Sequence, residues 1–314
     1  QRKYARAGMR ISNAIQTNGT MVTRERARWF ADHNFLVGVS IDGPEDLHNR
    51  FRTTRLGRGT FGDVMEGINN LRAAGAEFNT LTVVQSDNGA HPVRVYDFLK
   101  SIGSRFLQFI PIVEPVPRSS READPDGSPV SALSVTPDLW GSFLNSVFDR
   151  WLEQDVGEIY VQHFEVLLGM HLGMPASLCV HSPTCGAALA IEHNGAVFSC
   201  DHFVDEAHRL GSVLSDSLAS MVESTEQLAF GRRKITTLPD TCKACSYLRL
   251  CHGGCTKNRL IPTPSGPLNW LCEGYRSFYQ HTQPVLRAMG RALRHGRPAS
   301  DWVQYHRTGA TKAE

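Results

Sequence analysis

The chain has 314 residues, of which 41% are hydrophobic, so it can bury the core of one large domain or of two. Its 33 basic and 31 acidic residues leave a net charge of +2, and no basic run alternates with aromatic side chains, which argues against a nucleic-acid partner. No apolar stretch reaches the ~18 residues that a membrane helix needs, so we expect no membrane partner.

The first half alternates strand and helix patterns, which predicts an α/β fold with a parallel sheet and crossover helices. Predicted strands cover residues 11–18, 36–42, 78–85 and 106–112. One predicted helix opens at Thr60 and ends near Gly75, and another has Pro92 in its first turn. Four strands are too few for an eight-stranded barrel, which takes ~250 residues.

Polar side chains cluster where three of these strands end, in QTNG at 16–19, SIDGP at 40–44 and QSDNG at 85–89. Ligands of parallel α/β sheets bind beyond the carboxyl ends of the strands, so the clusters predict a shared pocket. Taken singly, each cluster also fits ordinary turn chemistry.

The middle of the chain predicts a loop followed by two helices. Residues 114–134 are rich in Pro, Ser and Asp, which is typical of a surface loop. Thr136 caps the first helix, and a second one covers about 159–171. The first helix carries an apolar stripe that we interpret as core, made of Leu139, Trp140, Phe143, Leu144, Val147, Phe148 and Trp151.

All the cysteines lie in the second half of the chain. They are Cys179, Cys185, Cys200, Cys242, Cys245, Cys251, Cys255 and Cys272. Four disulfides would suit a small secreted domain, whereas two sets of four thiols suit metal sites, which we favour for a chain of this size. Spacing alone does not choose between zinc and iron–sulfur clusters, because both accept four thiolates.

Two local patterns arrange these cysteines. Between Cys185 and Cys200, apolar alternation around Asn194-Gly195 predicts a hairpin with a two-residue turn, which would make the two cysteines neighbours. Cys242 and Cys245 form a C-x2-C pair, which presents two thiolates to one metal.

The ordered spacing C-x5-C-x14-C, C-x2-C-x5-C-x3-C and C-x16-C resembles the SPASM-type auxiliary domain of radical S-adenosylmethionine enzymes. The segments QTNGTMV, SIDGPEDLHNRFR, NGAVFSCDHFV and CSYLRLCHGGCTKNR look like the anaerobic sulfatase-maturating enzymes within that superfamily. The resemblance runs from about residue 11 to 285. It implies oxidation of an active-site Cys or Ser of a sulfatase to Cα-formylglycine.

The resemblance implies two auxiliary [4Fe–4S] clusters with interleaved ligands. Carried onto this sequence, the first set is Cys179, Cys185, Cys200 and Cys255, and the second set is Cys242, Cys245, Cys251 and Cys272. Cys255 must then leave its sequence neighbours to join the hairpin, and Gly253-Gly254 supply the backbone freedom for that reversal.

The family's proposed base is the aspartate after the third cysteine, here Asp201. In the implied reaction, a 5′-deoxyadenosyl radical from S-adenosylmethionine removes a Cβ hydrogen from the target residue. Asp201 accepts a proton, an auxiliary cluster accepts an electron, and the thioaldehyde or aldehyde gives formylglycine. Without the resemblance, Asp201 fits a solvated aspartate at a hairpin end.

The resemblance also points to strand-end residues around the methionine and ribose of S-adenosylmethionine. These are Gln16, Asn18, Ser40, Asp42 and Arg52. Ser, Asp and amide side chains can meet ribose hydroxyls, and Arg52 can pair with a carboxylate. The alternatives are that Asp42 only shapes the turn at Gly43-Pro44 and that His48 is a surface histidine.

The sequence departs from the family in its first strand–helix units. No cysteine precedes Cys179, so the C-x3-C-x2-C motif that holds the S-adenosylmethionine-binding cluster is absent, as is a GGEP-like segment. Because the sequence also starts at Gln1 rather than Met, we expect that the front of the domain is missing. We therefore expect the 314 residues to bind up to two clusters without cleaving S-adenosylmethionine.

The resulting prediction is a partial (β/α) barrel followed by a cysteine-rich domain. Its expected segments are a barrel part at 1–134, connecting helices at 135–175, the SPASM-type domain at 176–285, and a basic helix and tail at 286–314. Expected partners are an unfolded sulfatase polypeptide and an electron donor such as flavodoxin or ferredoxin, for a monomer in a reducing cytoplasm. Two alternatives stay open: another peptide-modifying SPASM-type enzyme, thioether-forming or cofactor-maturing, and a non-catalytic zinc-ribbon protein.

Overall fold

The structure, a computed structural model, describes residues 6, 8–9, 11–116 and 128–308. Residues 306–308 are described by their backbone alone. Its centre is a parallel sheet in which each strand pairs with the next one along the chain. The strands are β1 (Asn13–Thr17), β2 (Phe35–Ser40), β3 (Phe78–Val84), β4 (Phe106–Pro111) and β5 (Tyr160–Val161). The first four confirm the predicted strands, whereas the two-residue β5 carries too short a pattern to be recognised.

Helices follow the strands of this sheet. They are α1 (Arg24–Asp32), α2 (Glu45–His48), α3 (Phe61–Ala74), α4 (Pro92–Ser101), α5 (Pro137–Gln154) and α6 (Gln162–His171). The predicted helix ends are confirmed, because Gly75 has a left-handed φ of 69° after α3 and Thr136 Oγ1 accepts from Leu139 N at 3.3 Å. The sequence did not predict α1, whose buried residues are only Ala27 and Phe30.

The second half consists of short elements around the cysteines and one long helix. Its strands are β6 (Ala190–Ile191), β7 (Ala196–Phe198), β8 (Arg209–Ser212), β9 (Arg259–Ile261) and β10 (Leu268–Asn269). Its helices are α7 (Leu218–Val222), α8 (Thr225–Thr236), α9 (Asp240–Lys243), α10 (Leu248–Cys251), α11 (Cys272–Arg294) and α12 (Trp302–Thr308). Helix α11 runs without interruption across the segment boundary expected at residue 285.

The predicted hairpin exists, but its turn is longer than two residues. Glu192 N donates to Ala196 O at 2.9 Å, which leaves a three-residue loop that ends at Gly195 with a φ of 84°. A third residue in the left-handed region is typical of a type I turn with a bulge, so the two-residue prediction was wrong.

One hydrophobic core joins the two halves. The aromatic stripe of α5 is buried, with Trp140 fully inaccessible, and it packs in the same cluster as Tyr275 and Phe278 of α11. Helices α5 and α11 touch backbone to backbone, since a Cβ on Gly274 would lie 2.2 Å from Pro137 O. The cysteine-bearing half is therefore packed against the sheet rather than tethered to it.

The ends of the predicted 114–134 loop pair with each other, through Val116 N to Pro129 O at 3.0 Å and Ser131 N to Glu114 O at 2.9 Å. Residues 117–127 of that loop and 309–314 of the predicted tail lie outside the described residues. Within the described ranges, no helix has the length and apolar content to span a bilayer.

Candidate functional site

The carboxylate of Asp42, directly beyond β2, is buried and fully engaged by the chain. It accepts from Arg52 Nε at 2.5 Å, from Arg52 Nη2 at 3.0 Å and from Val83 N at 3.0 Å. Asp42 is 5% exposed, and the Arg52 side chain is 24% exposed. Two donors of Arg52, Nε and Nη2, are therefore bound to Asp42, which orients a partly exposed guanidinium.

His48 supports this ion pair and is not the surface residue that the sequence suggested. It is fully buried, its Nδ1 accepts from Asp42 N at 3.3 Å, and its Nε2 lies 3.1 Å from Thr60 Oγ1. Thr60 Oγ1 in turn donates to Arg52 O at 2.9 Å. Burial lowers the pKa of His48 to about 4, so the ring is neutral. The neutral ring connects the backbone at Asp42 to the side chain of Thr60.

Two of the three strand-end clusters are in direct contact. Asn88 is fully buried, and its Nδ2 donates to Asp42 O at 3.1 Å and to Val83 O at 2.8 Å. In the third cluster, the side chain of Asn18 bonds within its own turn. Its Oδ1 accepts from Thr20 N at 3.2 Å and from Thr20 Oγ1 at 2.9 Å.

The remaining two residues assigned to the cosubstrate lie on the first two strands. Gln16 is exposed on β1, at the edge of the described sheet, and Ser40 is half-buried at the end of β2. Gln16 pairs with Gly38 of the parallel β2, two residues before Ser40, so both side chains lie on the same face of the sheet.

The structure gathers the cysteines of the first set around the hairpin. The Cys255 thiol interacts electrostatically with those of Cys179 and Cys185, and the Cys200 thiol with that of Cys255. Gln227 Nε2 donates to Gly186 O at 2.7 Å and to Ser199 O at 3.0 Å, which ties together the residues next to Cys185 and Cys200.

The second set lines one cavity. Its volume is about 340 Å³, and its wall includes Cys242, Cys245, Cys251 and Cys272. The Cys272 thiol interacts electrostatically with the other three. Cys272 is the first residue of α11, so the helix that packs on the sheet also fixes this thiol.

Three consecutive left-handed residues separate the two sets along the chain. His252, Gly253 and Gly254 have φ values of 49°, 73° and 63°. A side chain at Gly254 would collide with Asn269, since its Cβ would lie 2.5 Å from Asn269 Nδ2. The left-handed backbone that the two glycines were expected to allow is therefore present between Cys251 and Cys255.

Helix α8 closes over the first set with three residues at i, i+4 and i+7. Gln227 bridges the hairpin ends, and Gly231 approaches the chain so closely that a Cβ would lie 2.3 Å from Cys185 O. Lys234 is 1% exposed and donates to three backbone carbonyls, those of Cys179, Val180 and Ser182. The helix thus places a buried ammonium beside the first set.

A buried polar chain links the sheet to the second set. His163 Nε2 lies 3.2 Å from Phe109 O on β4, and its Nδ1 lies 3.3 Å from His181 Nε2. The Tyr279 hydroxyl lies 3.3 Å from His181 Nδ1 and hydrogen-bonds to Cys251. Burial lowers the pKa of His163 to about 4, so this ring is neutral.

Asp201 lies beside the first set and is exposed. Its Oδ1 accepts from the Cys200 thiol at 3.0 Å. Burial, with a smaller contribution from Asp201, raises the pKa of Cys200 to about 12. Asp201 is thus a solvent-accessible carboxylate in contact with a candidate cluster ligand.

The donor sets fit four-thiolate clusters. All eight cysteines are free, so the alternative of four disulfides is wrong. Burial, with smaller contributions from neighbouring thiols, raises the pKa of Cys185 and Cys255 in the first set and of Cys242 and Cys251 in the second, and it raises that of Cys272 to about 12. Deprotonation of four thiols placed in this way requires a positively charged centre between them. In the described part of the chain, no three His, Cys, Asp or Glu side chains converge closely enough to hold one metal ion.

Both halves of the chain match known protein families. Residues 2–99 match the Radical SAM superfamily, and residues 183–246 match the iron–sulfur cluster-binding domain named SPASM. The serine-type anaerobic sulfatase-maturating enzyme of Bacteroides thetaiotaomicron is 39% identical over 327 positions, covering 100% of this chain and 78% of the relative. This chain belongs to the anaerobic sulfatase-maturating enzymes.

Further relatives agree with this membership. The cysteine-type sulfatase-maturating enzyme of Clostridium perfringens is 30% identical, covering 91% of this chain and 76% of the relative. A solved structure of native anSMEcpe with bound AdoMet and Cp18Cys peptide superimposes with a TM-score of 0.82 at 30% identity, covering 93% of this chain and 79% of that one. The α/β fold with its auxiliary domain is confirmed.

Proposed function

We propose that this chain contributes to the oxidation of a sulfatase Cys or Ser to Cα-formylglycine. The observation that carries the proposal is the grouping of eight free cysteines into two sets of four, in a chain that is 39% identical to a serine-type maturating enzyme over its whole length. S-adenosylmethionine and the iron–sulfur clusters, when bound, would supply hydrogen abstraction and electron acceptance.

The two cysteine sets are proposed as the ligands of two auxiliary clusters. The first set would use Cys179, Cys185, Cys200 and Cys255, and the second Cys242, Cys245, Cys251 and Cys272. The 340 Å³ cavity between the second-set thiols and the reversal that frees Cys255 support this division. Four cysteines at each cluster leave no open coordination position for substrate.

Asp201 is proposed to take the proton that the target residue loses. Oxidation of serine to the aldehyde removes two hydrogens, of which one leaves as an atom and the other as a proton and an electron. Asp201 is exposed and touches Cys200, so it can meet a substrate peptide at the position where an electron would leave.

Arg52 is the proposed anchor for the cosubstrate carboxylate, since it keeps a partly exposed guanidinium beyond the strand ends. Asp42, which faces inward, is proposed to position Arg52 rather than to bind ribose. Gln16, Asn18 and Ser40 remain proposed contacts for the polar groups of S-adenosylmethionine.

Formylglycine formation tests the proposal. The protein, as its gene encodes it, is incubated without oxygen with S-adenosylmethionine, a reductant and sulfatase-motif peptides carrying Cys or Ser. Mass spectrometry should show the aldehyde in at least one peptide, and two unmodified peptides would contradict the proposal. The 314 residues by themselves should bind iron without releasing 5′-deoxyadenosine, because they contain no C-x3-C-x2-C segment.

The proposed substrate partner is a sulfatase polypeptide, and the proposed electron donor resembles flavodoxin or ferredoxin. The chain itself is proposed to be a monomer. A reducing cytoplasm is the proposed setting, because free thiols persist there.

A further inference from the structure

Two buried cations interact electrostatically with thiols of both cysteine sets. Lys234 is 1% exposed and Arg259 is 7% exposed. Arg259 Nη2 donates to Lys234 O at 2.7 Å, so the residues that carry the two charges are directly connected. Neither residue belongs to the proposed ligand sets or to the proposed proton and cosubstrate contacts.

The hydrogen bonds of both cations end on neutral groups. Lys234 donates to backbone carbonyls, at 3.1 Å for Val180 O and 2.5 Å for Ser182 O. Arg259 donates to the carbonyls of Gly253, His252 and Lys234 and to Thr237 Oγ1. Among the residues that the structure describes, no carboxylate forms an ion pair with either cation.

Buried charges of this kind are costly unless an opposite charge accompanies them. The groups that can provide it are the cysteine thiolates. The Lys234 charge interacts most strongly with Cys179, Cys185 and Cys255 of the first set, and next with Cys251 of the second. The order is reversed for Arg259, whose charge interacts first with Cys242 and Cys251, and then with Cys255 and Cys185.

We propose that Lys234 and Arg259 are shared counter-charges of the two auxiliary clusters and raise the reduction potential of both, Lys234 chiefly that of the first and Arg259 chiefly that of the second. This inference rests on the proposed cluster ligation. A thiolate-bound cluster gains one negative charge when it is reduced, so a fixed buried cation favours the reduced form. Because each cation reaches both sets, it also favours an electron on either cluster.

The test measures potentials rather than turnover. Lys234→Gln and Arg259→Gln remove the charge but keep an amide donor, whereas Lys234→Arg and Arg259→Lys keep the charge. Arg232→Gln removes an exposed charge from the same helix and is the control. Each chain is reconstituted without oxygen, and the reduced clusters are followed by EPR during a redox titration.

The comparison is made at the potential at which the first cluster of wild type is half reduced. There, the ratio of reduced to oxidised first cluster should be about tenfold lower in Lys234→Gln, which for one electron corresponds to a reduction potential lower by about 59 mV. Arg259→Gln should do the same to the second cluster, and each variant should shift the other cluster by less. The charge-conserving variants and the Arg232 control should stay within about twofold of wild type.

Unchanged potentials in both Gln variants would overturn the inference. Loss of iron from Lys234→Arg and Lys234→Gln alike would also overturn it, because the residue would then act through its hydrogen bonds rather than its charge. Loss of iron from the Gln variant alone would support it. A wild-type chain without iron would instead contradict the proposed ligation itself.

Discussion

Replacing Asp42 with alanine should destabilise the chain, because Asp42 is the buried partner of Arg52. The substitution leaves the guanidinium, which is 24% exposed, without its two-pronged acceptor, and it leaves Val83 N without a partner. Breaking a fully buried pair costs about 3–5 kcal/mol, and the partial exposure of Arg52 reduces this to about 2. The lost amide bond adds about 1 kcal/mol, which gives about 3 kcal/mol in total.

A second aspartate–arginine fork provides the matched control. Asp46 accepts from Arg94 Nη1 and Nη2 at 2.8 and 2.7 Å, but both side chains are about half exposed. Asp46→Ala should therefore change the free energy of unfolding by less than about 1 kcal/mol. Urea denaturation followed by far-UV circular dichroism at pH 7 compares the two variants.

The result also separates two roles for Asp42. If it positions Arg52, Asp42→Ala is about 2 kcal/mol less stable than Asp46→Ala, and Asp42→Asn, which keeps an acceptor for Val83 N, lies between them. Equal unfolding midpoints for the two alanine variants would refute the positioning role and return Asp42 to the ribose-binding interpretation.

Three further predictions concern the cysteine half. Gly231→Ala should lose about half of the bound iron, because its Cβ would lie 2.3 Å from the carbonyl of Cys185 in the first set. The control Gly62→Ala, whose Cβ would have no atom within 4 Å, should keep all of the iron, and equal iron contents would contradict this prediction. Tyr279→Phe removes the hydroxyl that bonds Cys251 and should lower the potential of the second cluster alone in an EPR titration; an unchanged potential would show that the bond has no electronic effect. Asp201→Ala, in the protein as its gene encodes it, should abolish aldehyde formation in the peptide assay with full iron content, and normal turnover would exclude Asp201 as the base.

Local patterns were sufficient for the first four strands of the sheet and for helices α3, α4, α5 and α6. The strands at 35–40 and 78–84 are apolar runs, and the helix beginning after Thr136 has both a cap and a periodic stripe. Helix α1 was missed because only Ala27 and Phe30 of its nine residues are buried, so it carries little periodic signal.

The errors in the site concern contacts between distant segments. A surface position for His48 was kept as an alternative, because nothing near it in sequence shows that Thr60 hydrogen-bonds to its ring. Lys234 and Arg259 look like ordinary surface charges in the sequence, and only the packing of α8 onto the cysteine loops buries them. The proposed cysteine grouping comes from the order of the eight thiols, which resembles a known pattern, and the glycine pair marks where the chain reverses.

Iron content of paired cysteine variants tests the interleaved arrangement. Wild type should bind about eight iron atoms per chain, as two clusters of four. If Cys255 belongs with Cys185, the double variant Cys185→Ser/Cys255→Ser should lose one cluster and retain about four iron atoms, whereas Cys185→Ser/Cys251→Ser should retain almost none. The reverse pattern, with iron retained in the Cys185/Cys251 variant and lost in the Cys185/Cys255 variant, would contradict the division of the two sets.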